Sequence, residues 1–277
     1  MSTAAHRQSR HEVEPASFGA LLRKHRTGHG MSQERLAHEA EISTRHLSCL
    51  ETGRAKPSRQ MVLVLGSALE LGLRERNALL EAAGFVAAYR DEPLDAPEAA
   101  SLRRAVDLVL SGVEPNGAVA CDRVFNVLQM NQGAARLFAA FVDLSTAPPE
   151  VVSNVLVATL HPLGLRPHIV NFDEVAALTL DRTRREAARA GGDEAVRLVM
   201  DRIAAIPDLP RPSVPITQGP FVTVHLKRGP LEARLFTTIA TIGTAIDATA
   251  EDLRIETYFP ADDATARLVK SLAAGIA

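Results

Sequence analysis

Apolar and small residues recur between Phe18 and about Phe85 in short blocks that predict consecutive short helices. Phe18, Leu21 and Leu22 mark a first helix that "TGHG" stops. Leu36 and Ala40, at i and i+4, share one face of a second, and Leu47 with Leu50, at i and i+3, share a face of a third. Ser32, Ser43 and Ser58 stand before the second, third and fourth helices, where a hydroxyl can accept from an orphan N–H. Met31 with Leu36, and Ile42 with Leu47, have the spacing of hydrophobic staples. A fifth helix is expected over about 74–83, ended by Gly84. Ala37 is small enough for two helices to cross closely, and "AEIS" leaves room only for a tight turn. That combination predicts a helix-turn-helix, whose second helix enters the major groove.

After the Pro-rich, acidic "YRDEPLDAPEAAS" the pattern changes. "AVACDRVFNVLQMN" (118–131) reads as a hairpin with Asp122-Arg123 near its turn. "QGAARLFAAFVDL", "NFDEVAALTLDRTRREAARAG" and "DEAVRLVMDRIAAI" read as helices. "FVTVHLK", "LEARLFTTIATI" and "DLRIETYFP" read as strands, the first two parted by Gly229-Pro230, and a last helix starts near Asp262. Strands first and last with helices between predict an α+β domain with one antiparallel sheet. The expected organisation is multidomain: an N-terminal arm (1–15), an all-α helix-turn-helix domain of five helices (16–88), a linker (89–100) and an α+β domain (101–277).

The 277 residues suffice for two cores, and with 46% hydrophobic residues, no Trp and two Tyr these are built from Ala, Leu, Val and Ile. No apolar run reaches the roughly 18 residues of a membrane span. The polar start "MSTAAHRQSRHEVEP" has no secretory apolar region. Cys49 and Cys121, far apart and in no ligand-spaced cluster, argue against a disulfide scaffold or a Cys-rich zinc site. A cytoplasmic protein is expected. The net charge of −2 hides an asymmetry: residues 15–60 hold eight Lys/Arg against four Asp/Glu, and residues 61–277 hold 21 against 27. A basic patch on an acidic body suits a phosphate-bearing partner.

The stretch "QERLAHEAEISTRHLSCLETGR" (33–54), with "SQERLA", "IS", "LSCLETG" and "PS" in register, closely resembles the phage-repressor and Cro class, the XRE-type regulators. It departs from the class at Glu41, where many members carry Gly. The resemblance implies a lambda-repressor-like fold and a double-stranded DNA operator as partner. It places Gln33 on phosphate, Thr44 and Arg45 on base edges, and Ser48 and Cys49 one turn further on. Arg45 is chemically the best reader, since a guanidinium bonds guanine O6 and N7 together; a phosphate contact is its alternative. His46 is assigned to phosphate or solvent, and Cys49 to a thymine methyl or a spacer role. Arg54, Lys56, Ser58 and Arg59 are expected on the DNA backbone. Arg26 and Glu51 match a pair that links the first helix to the recognition helix.

Residues 119–138, 160–187 and 237–268 are similar to the MmyB-like ligand-binding domain that follows an XRE head in many actinobacterial regulators. The resemblance implies a PAS-like domain, a small antiparallel sheet covered by helices around an apolar cavity, and a fatty-acid-like ligand. Phe125 and Phe172 stand where the family often carries Trp. Phe125, Leu128, Phe138, Phe141, Leu156, Phe172 and Phe236 are the candidate lining, and each taken singly also fits plain core. Asn131, Arg166 and Asn171 are polar residues in apolar surroundings; Arg166 could hold a ligand carboxylate or, alternatively, loop carbonyls.

No catalytic motif, metal pair or cofactor fingerprint is present: His161, His168 and His225 lack helical ligand spacing, and Cys121 has no evident base. The expectation is a non-enzymatic, dimeric transcriptional regulator that senses a small apolar molecule without a cofactor. Its alternatives are a C-terminal domain used only for dimerisation or protein docking, and an enzyme with an auxiliary DNA-binding head.

Overall fold

A computed structural model describes residues 17–189, 193–211 and 220–275. The expected N-terminal arm lies outside them. The chain divides into two units, one ending at Leu71 with Glu75–Ala88 added, the other formed by Gly72–Arg74 and the chain from Tyr89.

The first unit holds α1 (Phe18–Gly28), α2 (Gln33–Glu39), α3 (Thr44–Glu51), α4 (Arg59–Ala68) and α5 (Leu73–Ala82). Each expected cap is made: Ser32, Ser43 and Ser58 accept from the backbone N–H of Arg35, His46 and Met61 at 3.1–3.2 Å. Ser17 caps α1 in the same way. Leu22, Leu36, Leu47, Leu50, Leu65 and Leu69 are wholly buried around a common centre, each stabilising by about 1.5–3 kcal/mol.

The α2–α3 turn is a Schellman motif. Ile42 N–H reaches back to Ala37 C=O at 2.9 Å and Glu41 N–H to His38 C=O at 3.1 Å. This closure needs a left-handed residue, and Glu41 takes it at φ 53°. The departure from Gly therefore leaves the turn intact at a backbone cost of roughly 1–2 kcal/mol. A second close approach depends on Gly19, where an added Cβ would lie 2.5 Å from Glu51 C=O and 2.6 Å from Leu50 C=O. Glycine lets α1 cross the end of α3.

In the second unit a turn of 3-10 helix (Pro97–Ala99) leads into α6 (Ala100–Gly112), then β1 (Gly117–Cys121) and β2 (Val127–Met130). α7 (Gln132–Phe141), α8 (Pro149–Val152), α9 (Val155–Leu160), α10 (Phe172–Arg189) and α11 (Glu194–Ala204) follow. The chain ends in β3 (Val224–Arg228), β4 (Leu231–Thr241), α12 (Ala248–Asp252), β5 (Arg254–Pro260) and α13 (Asp263–Ala273). The strands form one antiparallel sheet in the order β2-β1-β5-β4-β3. The α+β expectation holds.

Strand β1 is buried along its whole length because both its faces are covered. Val119 and Cys121 pack with residues of α9, α10 and α11, while Ala118 and Ala120 pack with Val106 and Leu110 of α6. Cys121 is fully buried, and that burial, with the nearby Glu256 carboxylate, pushes its thiol up to about 12.

Candidate functional site

Within the first unit the amphipathic pattern of α3 decides what it offers. Leu47 and Leu50 point into the core, so Thr44, Arg45 and His46 are exposed on its first turn, and Ser48 and Cys49 are half-buried beside them. Arg54, Lys56, Ser58 and Arg59 are exposed in the following loop and at the start of α4. This gives a polar and basic row beside an open helix face, the arrangement that a duplex groove requires.

The recognition helix is held from behind. Arg26 donates from Nε to Glu51 Oε1 at 2.6 Å and from Nη2 to Oε2 at 3.0 Å, and from Nη1 to Met31 C=O at 2.7 Å. Burial acts to raise the Glu51 carboxyl, but hydrogen bonds from Arg26 and Gln33 and the Arg26 charge outweigh it and hold the group below the usual range. Gln33 donates to Glu51 Oε2 at 2.7 Å. The expected phosphate ligand is thus itself oriented by the ion pair.

The second unit contains an apolar cavity of about 120 Å³. Its lining follows the periodicities of the elements. Val175, Thr179 and Arg182 form one stripe of α10, at i, i+4 and i+7. Val224 and Leu226 of β3, Leu235 and Thr237 of β4, and Glu256 and Tyr258 of β5 alternate inward at i, i+2. Leu137 and Phe138 of α7, Val155, Leu156 and Thr159 of α9, and Leu165 and Ile169 between α9 and α10 complete it. Of the residues expected to line it, Phe138 and Leu156 do so.

The other five expected lining residues lie outside this cavity. Phe125 is 2% exposed and lies between the guanidinium groups of Arg182 and Arg254, 5.4 and 5.1 Å from its ring centre. Leu128 sits on the edge strand β2 and is 40% exposed. Phe141 is plain core. Phe172 lies under the Arg166 guanidinium at 4.6 Å, and Phe236 packs against Phe221 at a tilt and stacks on Phe259.

The three polar candidates are absorbed by backbone. Asn131 accepts from Ala118 and Ala134 N–H and donates to Leu110 and Asn116 C=O, which ties α6, β1 and α7 together. Arg166 donates to the carbonyls of Pro207 and Asp208 at 2.7 and 3.2 Å. Asn171 donates to Thr223 C=O and accepts from His225 N–H, clamping α10 to β3.

The cavity has a polar wall that residue-by-residue reading missed. Glu256 is 4% exposed and accepts from Arg182 Nη2 at 3.2 Å, while Arg254 Nη1 donates to Glu186 at 2.6 Å. Burial, reinforced by the Glu256 carboxylate, holds the Tyr258 hydroxyl well above its usual range and therefore protonated. Among the described residues, no group of three or more His, Cys, Asp or Glu is placed to hold a metal ion, and no helix is long and apolar enough to cross a membrane.

A helix-turn-helix joined in one chain to an α+β domain with an apolar cavity defines a DNA-binding regulator that carries a ligand-binding domain. Residues 17–79 match the helix-turn-helix domain family, and residues 102–272 match the MmyB-like transcription regulator ligand binding domain. The chain belongs to the transcription regulators built on that MmyB-like domain. Among solved structures it is similar to the restriction-modification controller protein C.AhdI from Aeromonas hydrophila. That likeness has 36% identity over 21% of this chain and 89% of that one, with a TM-score of 0.21. No curated protein matches.

Proposed function

We propose that the protein reads a specific operator as a homodimer through α3, and that a small, largely apolar molecule in the C-terminal cavity shifts its affinity for DNA. The observation that carries this reading is the cavity itself. Its wall is mostly aliphatic and close to a sheet that has helices packed on it. The strand order and helical cover also support the PAS-like description of the domain. One short recognition helix reads few base pairs, so paired half-sites supply useful affinity and specificity. A ligand acts only if it binds the DNA-competent and incompetent arrangements differently. Arg45 is assigned base readout, with Thr44, Ser48 and Cys49 beside it; Gln33, His46, Arg54, Lys56, Ser58 and Arg59 hold the backbone. The protein works in the cytoplasm and catalyses no reaction.

In vitro selection of the DNA site by the full chain, with and without a cell lipid extract, tests the whole reading. Selected sites should be symmetric, and the extract should change their affinity. Random recovered sequences would refute the first claim. An extract without effect, together with no extractable ligand by mass spectrometry, would favour a domain that serves only dimerisation or docking.

A further inference from the structure

The polar wall of the cavity restricts the head group a ligand can carry. We propose that the cavity selects a short, uncharged apolar molecule ending in a hydroxyl, an alcohol rather than a carboxylic acid. This rests on the reading of the cavity as a ligand site and adds the chemistry of that ligand.

The fixed charges on and behind this wall are already balanced. Arg182 is paired with Glu256 at 3.2 Å, and Arg254 with Glu186 at 2.6 Å. Among the described lining residues Arg182 is the one cation, and Arg166, the expected anchor, donates instead to the carbonyls of Pro207 and Asp208. An acid head would instead meet Glu256, whose side chain is only 5% exposed, and like charges repel strongly where water is excluded. The same wall still has unused hydrogen-bonding capacity. The Tyr258 hydroxyl is 3.5 Å from Glu256 Oε2, long for a hydrogen bond. A ligand hydroxyl can accept from the Tyr258 hydroxyl and donate to Glu256, both of which line the cavity, with no added charge.

Size points the same way. A cavity of about 120 Å³ is comparable to the roughly 150 Å³ engineered cavity that takes up benzene, so six to nine heavy atoms fit without rearrangement. A long acyl chain would require the surrounding helices to move.

The test is calorimetric titration of the full chain at pH 8 with 1-hexanol and with hexanoate, which share one carbon chain. The expected result is at least ten-fold tighter binding of the alcohol. Thr179→Phe, which grows a side chain into the cavity, should weaken alcohol binding at least ten-fold while the circular dichroism spectrum is retained. Glu256→Gln should narrow the alcohol preference by freeing Arg182 from its anionic partner. Equal or tighter binding of hexanoate by the wild type overturns the proposal, whether or not Glu256→Gln folds, yet leaves an apolar-ligand site standing. Alcohol binding that survives Thr179→Phe unchanged also overturns it, because the site then lies elsewhere. Binding of neither compound overturns both this inference and the proposed sensing role.

Discussion

Arg26 and Glu51, 25 positions apart, form a two-point ion pair that fastens α1 to the last turn of the recognition helix. Both are nearly buried, at 8% and 9% exposure, so removing one partner strands the other. Glu51→Gln should destabilise the first unit by about 3–5 kcal/mol. Glu51 is held below the usual carboxylate range, so its stabilisation is present above the ordinary Glu value of about 4.3 and is lost as pH falls through the lower folded value. Thermal melts of wild type and variant should differ most near pH 7 and converge only as pH falls through the lowered folded value of Glu51. A gap that stays constant with pH would count against this account.

Arg45→Ala should relax the preference at particular operator bases by about 1–3 kcal/mol. Lys56→Ala should weaken binding to all sequences evenly and reduce the salt slope by about one. Competitive binding to a selected operator and its single-base variants separates the two. If Arg45→Ala keeps the full sequence preference, the reader lies elsewhere on α3.

Gly19→Ala is expected to cost about 1–3 kcal/mol, because its Cβ would meet the carbonyls of Leu50 and Glu51 inside normal contact distance. Chemical denaturation should record a lower midpoint, and operator affinity should fall with it, since α1 supports the recognition helix. A neutral substitution would show that α1 shifts freely.

Glu41→Gly tests the opposite case. The left-handed turn should become more stable by roughly 0.5–1 kcal/mol once the Cβ is gone, the relief being offset in part by unfolded-state entropy. A melting temperature that falls would mean Glu41 contributes more than its backbone position.

Asn131→Ala should destabilise the second unit by on the order of 2–4 kcal/mol. It removes the α7 cap and leaves two buried carbonyls, on Leu110 and Asn116, without that donor. Cavity binding measured well below the melting temperature should persist, since Asn131 does not line the cavity.

The first unit was legible because its signals are local. Serine caps and leucine spacing act within one turn or between adjacent helices, and each fell where the spacing placed it. Even the Arg26–Glu51 pair could be matched by resemblance. In the second unit the sheet could be read from its strand runs, whereas α6 was hidden behind a Pro-rich lead although Leu102, Val106 and Leu110 repeat at i, i+4 and i+8. The cavity lining was misread for a physical reason. Conspicuous residues such as Phe125, Arg166 and Asn171 found partners in rings and backbone, and plain alternation in β4 and β5 set the wall. Applying the period of two along those strands would have picked out Leu235, Thr237, Glu256 and Tyr258 together. What no local pattern carries is the pairing of Arg182 with Glu256, which lie 74 positions apart.

The chain has two cysteines, and their settings differ sharply: Cys121 is fully buried with its thiol pushed up to about 12, while Cys49 is half-buried on α3. A thiol-reactive fluorophore offered to the native protein therefore has one accessible address, beside the residues assigned to the operator. The wild-type chain can be dyed there without engineering, and the emission of that label would report each docking and release event directly.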